Sequence, residues 1–389
     1  MTKYMDVIKK NAMLIVLVLV YIFFTAMTGG SMFSPMNFNA LITQNAYVFI
    51  LATGMLMCML TGGNIDLSCG SFVCIMGAAG GVFMVIQEYS TGLSVFLMLV
   101  VGIIYGCVLG YLVAYVNIPP WIATLAGYLA FRGWGTAILS DNSSTGSISP
   151  MPESFLKLFS GKVFETGINQ FNVVCFVAGV IASVIVVVTS LMSRANKVKK
   201  GYEAESMTAL VIKCVLSVAA ILLFEYKLAL AGGIPTVLIW VIVIVLIYSF
   251  ITSKTTLGRY FYTIGGNAEA TRLSGVDTRK IMFFAYLNMA VLTVISSYIV
   301  VARFQAANST AGNYYEMDAI AACVVGGVSA YGGSGTVFGM VVGATLIGVI
   351  NLGMSLMGVN ADWQKIVKGG VLLGAVVFDI LATKKNATK

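Results

Sequence analysis

The stretches of this chain that lack any charged side chain leave almost no choice of fold. No Asp, Glu, Lys or Arg occurs between Lys10 and Asp66, between Glu88 and Arg132, between Glu165 and Arg194, or between Asp318 and Asp362. A helical membrane span takes only ~20 predominantly apolar residues, so several of these runs hold two. Apolar residues make up 59% of the 389 and charged ones 10%, with a mean hydropathy of +0.94. A water-soluble chain carries about a quarter charged residues and could not hide so much apolar surface. Outer-membrane barrels are excluded, because their strands alternate apolar and polar over ~10 residues. The expected class is an all-α polytopic membrane protein.

Twelve spans are expected, at 12–28, 40–61, 67–86, 93–116, 121–139, 171–192, 209–225, 228–251, 281–301, 317–330, 336–356 and 364–381. Residues 121–139 contain Arg132 and several glycines, and 317–330 is too short to cross alone. Ten to twelve crossings are therefore supported, some broken or re-entrant, as backbone at membrane depth allows when protein or a cavity covers it. The first span is not read as a cleavable signal, since no small-residue cleavage site follows it. Sixteen of the 23 basic residues fall in 1–10, 194–213, 254–280 and 384–389. Lys and Arg in short loops stay cytoplasmic, which puts both termini in the cytoplasm. A single membrane domain, 1–389, is expected, with an external loop at 140–170, a cytoplasmic connector at 194–208 and a cytoplasmic loop at 254–280. The net charge of +8 thus reports orientation and anionic headgroups, not nucleic acid.

Absent residues narrow the chemistry. With no histidine, imidazole bases, Ser-His-Asp triads and His-ligated metals are impossible. The seven cysteines sit in apolar runs without metal-ligand spacing and read as small buried hydrophobes. No GxxxxGK[ST] loop is present, so this chain does not bind ATP in the P-loop manner. No cofactor is expected. Glycines four apart, at 102, 106 and 110 and again at 335, 339 and 343, suit close helix packing. Gly62-Gly63, followed by a polar stretch and a small-residue helix, is echoed at Gly332-Gly333, a hint of duplicated halves.

The segment from Lys254 to Asp277 is the most informative. Asn267 follows two glycines as a helix N-cap, Glu269 sits in the first turn, Arg272 comes later, and Gly275 is placed to end the helix. A helix of about two turns is too short to be stable alone in water, so it must dock, either on headgroups or in a partner protein's groove. The run from Thr256 to Gly275 resembles the cytoplasmic coupling loop of permease subunits of bacterial monosaccharide ABC importers, the family of ribose, xylose, galactoside and multiple-monosaccharide permeases. Asn64-Ile-Asp-Leu-Ser68 with Gly70-Ser71 is similar to that family's IDLSVGS signature, with Cys69 in place of valine. Ile118-Pro-Pro-Trp-Ile-Ala-Thr-Leu-Ala-Gly127 and Phe131-Arg-Gly133 resemble its P-x-F-I-x-T-L-x-G and RG element, with Trp121 in place of phenylalanine. Ala311-Gly312, Glu316-Met-Asp-Ala-Ile-Ala-Ala322, Gly326-Gly327 and Gly332-Gly333 resemble the late ELDAIAA and double-glycine block. Trp363-Gln-Lys365 with Lys368-Gly369 resembles the final span. The pieces run in family order from about 40 to 380, and the added sequence around 194–230 resembles the xylose and multiple-monosaccharide branch.

The resemblance implies two such chains, most simply a homodimer, with an ABC ATP-binding subunit that carries the ATP and hydrolyses it. It also implies a periplasmic or lipoprotein sugar-binding protein, a monosaccharide substrate and a place in the bacterial cell membrane. The permease would supply the pathway by alternating access and no catalysis. Contact with the ATPase would fall to Arg259, Gly266, Asn267, Glu269, Ala270, Arg272, Leu273 and Gly275. A self-contained secondary transporter is the alternative, although such proteins need a midplane site with ionisable residues and this chain offers few. A membrane enzyme is a third class, without a plausible catalytic set.

Other polar residues are pathway candidates. Asp66 and Ser68 stand at a span entrance, where Asp66 fits either a helix cap or a gate. Arg132 lies inside an apolar segment, where charge is costly and usually functional or paired, with Asp66 or Asp318 as possible partners. Asp318 opens a span and reads as a cap before it reads as a ligand. Trp121 and Trp134 suit stacking on sugar faces or anchoring at the membrane interface. Gln44, Asn45 and Asn288 suit hydrogen bonds between helices, or the lining of a sugar path.

Overall fold

The computed structural model describes residues 12–165, 171–202 and 206–387. Fifteen helices occur among them. They are α1 Ala12–Met27, α2 Pro35–Leu60, α3 Cys69–Gly81, α4 Thr91–Ala114, α5 Pro120–Asn142, α6 Glu153–Phe159, α7 Val173–Lys199 and α8 Met207–Leu230. After them come α9 Thr236–Lys254, α10 Thr256–Gly266, α11 Ala268–Leu273, α12 Thr278–Phe304, α13 Tyr315–Val325, α14 Val337–Leu356 and α15 Ala361–Ala387. Four two-residue strands, β1 Ser147–Ile148, β2 Lys162–Val163, β3 Ile234–Pro235 and β4 Ala307–Asn308, pair antiparallel as β1 with β4 and β2 with β3.

Among the described residues, eight helices are long and apolar enough to cross a membrane: α2, α3 with the π turn Val82–Ile86 that extends it, α4, α7, α8, α9, α12 and α14. The chain is an all-α polytopic membrane protein. Helices α5 and α15, with 23 and 27 residues, have the length but a more polar composition, and the 16 residues of α1 fall short of a full span. Despite Arg132 and its glycines, α5 is continuous. Helix α13 has 11 residues, about 16 Å at 1.5 Å per residue, half a hydrocarbon core of ~30 Å. It stops at Gly326, before Gly327 turns the chain at φ +82°. The expected span 317–330 is therefore a half-helix.

Two expected boundaries move. The break expected between 225 and 228 lies instead at 231–235, where Gly232 and Gly233 take φ +94° and +131° ahead of Pro235. The expected connector 194–208 is shorter, since α7 continues to Lys199 and Ser206 caps α8 by accepting from the Ala209 N–H at 3.2 Å. Within the expected loop 140–170, α5 reaches Asn142 and α6 and β2 follow. Its last positions, 166–170, lie outside the described residues, as do the whole basic segment 1–10 and residues 203–205.

Contacts divide the chain into two units. The first contains α1, most of α2, α3–α6 and α9–α15. Its core is closely packed because small residues let backbones approach. A Cβ on Gly102 of α4 would lie 2.2 Å from Val294 of α12, and one on Gly343 of α14 would lie 2.0 Å from the Ala322 carbonyl of α13. The two Gly-Gly turns also meet: the Gly333 N–H donates to the Leu60 carbonyl at 3.1 Å, and Gly332 abuts Gly62. The second unit, Phe33–Ala40 with Gly161–Thr236, is the α7–α8 hairpin and its anchors. There Asn172 caps α7 through the Cys175 N–H at 2.9 Å and also donates to the Phe164 carbonyl. All seven cysteines are free, five of them buried.

Candidate functional site

Hydropathy alone cannot reveal where polar side chains converge inside the first unit. Asp66 follows the Gly62-Gly63 turn and is 1% exposed. One of its oxygens accepts both the Ser68 N–H at 2.8 Å and the Ser68 hydroxyl at 2.5 Å, an Asx turn. Ser68, not Asp66, holds the cap position of α3, so the cap reading of Asp66 is corrected. The Ser68 hydroxyl continues to the Tyr105 hydroxyl at 2.6 Å. This Asp66–Ser68–Tyr105 chain joins the turn to α4.

Asp318 lies within the first turn of α13 and does not cap it. Its carboxylate accepts from Tyr47 of α2 at 2.6 Å and from Lys368 of α15 at 2.9 Å. The Tyr47 ring stacks on Tyr315 with centroids 3.7 Å apart. The pairing of Arg132 with Asp66 or Asp318 is not what forms, because both carboxylates already have partners. Arg132 instead donates from Nη1 to the carbonyls of Ser309 and Ala311, at 3.2 and 2.9 Å. Its Nε and Nη2 are buried without a partner among the described residues, as is Oε2 of Glu316. That oxygen faces Gly70, where any Cβ would come within 2.0 Å of it.

Beside Asp318 and Lys368 lies a cavity of about 430 Å³, also lined by Asn313, Tyr314, Gln364 and Lys365. Met317, Ala321, Ala361 and Leu372 complete the lining, so the volume is largely apolar with a few polar groups set into it, as small-molecule sites are. Asn45 serves helix contact, accepting from Asn351 of α14 at 3.3 Å, and Asn288 accepts from Tyr248. Trp121 and Trp134 are 57% and 63% exposed on α5, so neither belongs to the buried polar set. Sequence reasoning passed over Tyr47, Tyr105 and Lys368 as site residues. Only Lys368 carried a signal, a cation inside an apolar span, the same signal that singled out Arg132.

The loop between α9 and α12 forms a second surface. Thr255 caps α10, whose Phe261 and Ile264 are buried, while the Tyr262 hydroxyl donates to the Gly335 carbonyl at 2.9 Å. Burial pushes the Tyr262 phenol above its ordinary pKa. Gly265 lies against the Leu60 carbonyl and Gly333, so α10 rests on the meeting point of the two Gly-Gly turns. Asn267 then caps α11, accepting from the Ala270 N–H at 2.9 Å. At the other end, Gly275 at φ +90° donates to Arg272 and Val276 donates to Thr271, a Schellman closure. Helix α11 has six residues, shorter than the two turns expected.

Thr271 faces inward, whereas Arg259, Gly266, Asn267, Glu269, Ala270, Arg272, Leu273 and Gly275 are all exposed, Leu273 by 75%. Glu269 and Arg272 pair at 2.5 Å. The guanidinium's hydrogen bond and charge hold the Glu269 carboxyl below its usual pKa. The loop thus presents a rigid, capped knob with an apolar tip and a paired charge.

Comparison with known proteins fits this geometry. Residues 37–376 match the family described as branched-chain amino acid transport system / permease component. The chain is similar to the xylose transport system permease protein of Haemophilus influenzae, 34% identical over 96% of each chain. It is 33% identical to the xylose transport system permease protein of Escherichia coli K12, over 96% of this chain and 92% of that one. To the ribose import permease protein of the same strain it is 30% identical, over 94% and 92%. These relatives are named as transport permeases, not as enzymes. No solved structure matches.

Proposed function

The chain belongs to the branched-chain amino acid transport system / permease component family, and on that footing we propose that it is the membrane-spanning subunit of an ATP-driven monosaccharide importer. One observation carries this reading. Similarity to xylose and ribose permeases extends along 94–96% of the chain rather than over a shared fragment. The subunit works by alternating access, as a pair of chains with an ATP-binding partner and a sugar-binding protein outside, in the cell membrane with both termini cytoplasmic. The substrate is a pentose or hexose.

The geometry supplies a mechanical route. Helix α11 is exposed and capped at both ends, as a knob seated in a partner's groove must be. Through Gly265 and Tyr262, α10 bears on Leu60, Gly333 and Gly335, which end α2 and precede α14. A displacement of the knob therefore reaches the turns that lead to Asp66 and to α14, through backbone contact at Gly265 and through the Tyr262 hydroxyl at Gly335. Asp66–Ser68–Tyr105 and Asp318–Lys368–Tyr47 are the polar contacts that such a movement would make and break. They are the proposed gate, with Arg132 beside them.

Co-reconstitution tests the reading. Uptake of radiolabelled xylose or ribose into vesicles should require the ATP-binding subunit and ATP. Ala270→Pro, which removes the N–H that donates to the Asn267 cap of α11, should lower uptake per assembled complex while leaving receptor affinity unchanged. Ion-gradient-driven uptake by this chain alone would replace the importer with a secondary transporter.

A further inference from the structure

The α7–α8 hairpin plays no part in that mechanism, yet it carries a built amphipathic cavity. Near the C-terminal end of α7 a polar pocket of about 190 Å³ is lined by Ser190, Ser193, Arg194, Lys197 and Lys213. Leu210 also lines it, and Leu210 lines an adjoining apolar groove of about 590 Å³ as well. The groove's walls include Leu191 of α7 and Val211, Cys214, Val215, Val218 and Leu222 of α8. It extends from Met207 to Leu222, about 23 Å along the helix axis, more than the ~15 Å depth of one leaflet's hydrocarbon.

From this arrangement we infer that the hairpin binds one anionic phospholipid, its phosphate in the cationic pocket and an acyl chain in the groove. Charge complementarity selects the ligand. Residues 194–213 hold five cations against two carboxylates, Glu203 and Glu205, and three of the cations converge on the pocket. Lys213 lies nearly two turns inside α8, and lysines so placed run their apolar stem along the helix and keep the ammonium at headgroup level. A soluble anion would use the pocket and leave the groove idle. A zwitterionic lipid would fill the groove, but its own ammonium would oppose three cations.

Native mass spectrometry of the purified full-length chain tests this with two lipids of identical chains, palmitoyl-oleoyl phosphatidylglycerol and palmitoyl-oleoyl phosphatidylcholine. The first should be retained as a single adduct under conditions that strip the second. Arg194→Gln/Lys197→Gln/Lys213→Gln should lower phosphatidylglycerol affinity by about tenfold to a hundredfold, the scale expected for basic residues near an anionic surface. Arg279→Gln/Lys280→Gln, at another basic segment, should not. Val215→Trp/Val218→Trp fills the groove, spares every cation, and should also reduce retention. Equal retention of the two lipids, or full phosphatidylglycerol binding by either the cation or the groove variant, overturns the site. So does a groove variant that changes oligomeric state with lipid retention intact, since the groove would then be an interface between copies.

Discussion

Helices α2 and α8 have nearly equal lengths and opposite fates. In the most apolar window of α2, 78% is buried at a mean hydropathy of 1.5, whereas in α8 only 6% is buried at a hydropathy of 2.4. The same inversion separates α12, 72% buried at 1.8, from α7, 17% buried at 2.7. In water the more apolar helix would go inside. In a bilayer the lipid tails are as apolar as leucine, so packing, small residues and polar contacts decide which helices associate. Helix α2 accordingly carries Asn45, Tyr47 and Thr53 into the interior, while α8 presents Val215, Leu216 and Leu223 to its surroundings. The more polar helices pack inside, and the more apolar ones turn their side chains outward.

The largest expected effect comes from bulk added where backbones touch. Gly343→Leu forces side-chain atoms into a space where even a Cβ would be 2.0 Å from Ala322. Overpacking costs ~1–3 kcal/mol, occasionally more, and here the obstacle is backbone that cannot rotate aside. Monodisperse protein after size-exclusion chromatography should fall to a small fraction. Ala220→Leu, on the exposed face of α8, should leave the yield unchanged. Equal losses would erase the contrast between the two regions.

Next comes the buried ion pair. Lys368→Met strands the Asp318 carboxylate, whose side chain is 3% exposed. Leaving one member of a buried pair alone costs ~3–5 kcal/mol, with the lower end expected because Lys368 is itself partly exposed. Asp318→Asn/Lys368→Met should recover most of that loss in a thermal-unfolding assay but not transport. Recovery of both would make the pair structural and remove it from the gate.

A smaller effect belongs to the exposed knob. Asn267→Ala should cost ~1 kcal/mol locally, as loss of an N-cap does, and raise amide hydrogen exchange in α11 before any change in global stability. The Glu269–Arg272 pair adds a pH dependence with a definite sign. The folded Glu269 pKa is depressed, so its contribution is complete above the ordinary carboxylate pKa and is lost as pH falls through the lower folded value. Exchange in α11 should accelerate across that acidic window, and Glu269→Gln should abolish the dependence. Acceleration that survives Glu269→Gln would assign it to another group.

What could be read from residues alone follows the range of the interactions involved. The cap at Asn267 and the stop at Gly275 were legible because each bonds within three to five residues. Apolar spans were legible because lipid imposes their length. Asp318 was misread as a cap, and its true partners lie 50 and 271 positions away, a separation no local pattern encodes. The misplaced break before α9 has a related cause. Glu225 and Lys227 flank the expected break, yet Cys175 donates to Glu225 at 3.3 Å and Lys227 donates to the Phe33 carbonyl at 2.9 Å. With its charges partnered, the helix continues to the glycines.

The smallest expected effect is the sharpest test of the comparison. Leu216 is 65% exposed on α8, and Leu216→Ala removes apolar surface that the chain leaves mostly uncovered. If α7 and α8 are held by their anchors rather than by their apolar faces, the change should fall within ~0.5 kcal/mol, as at an unremarkable surface site. Membrane insertion should persist as well, because the remaining residues of α8 still make a strongly apolar span. Loss of the Asn172 cap should exceed it, since Asn172→Ala removes both the Cys175 N–H acceptor and the bond to Phe164. Thermal unfolding of the two variants side by side reads the difference directly. A Leu216→Ala loss equal to that of Asn172→Ala would mean that α8's exposed face is buried in the assembled protein, and that its high hydropathy marks an interface rather than a lipid boundary.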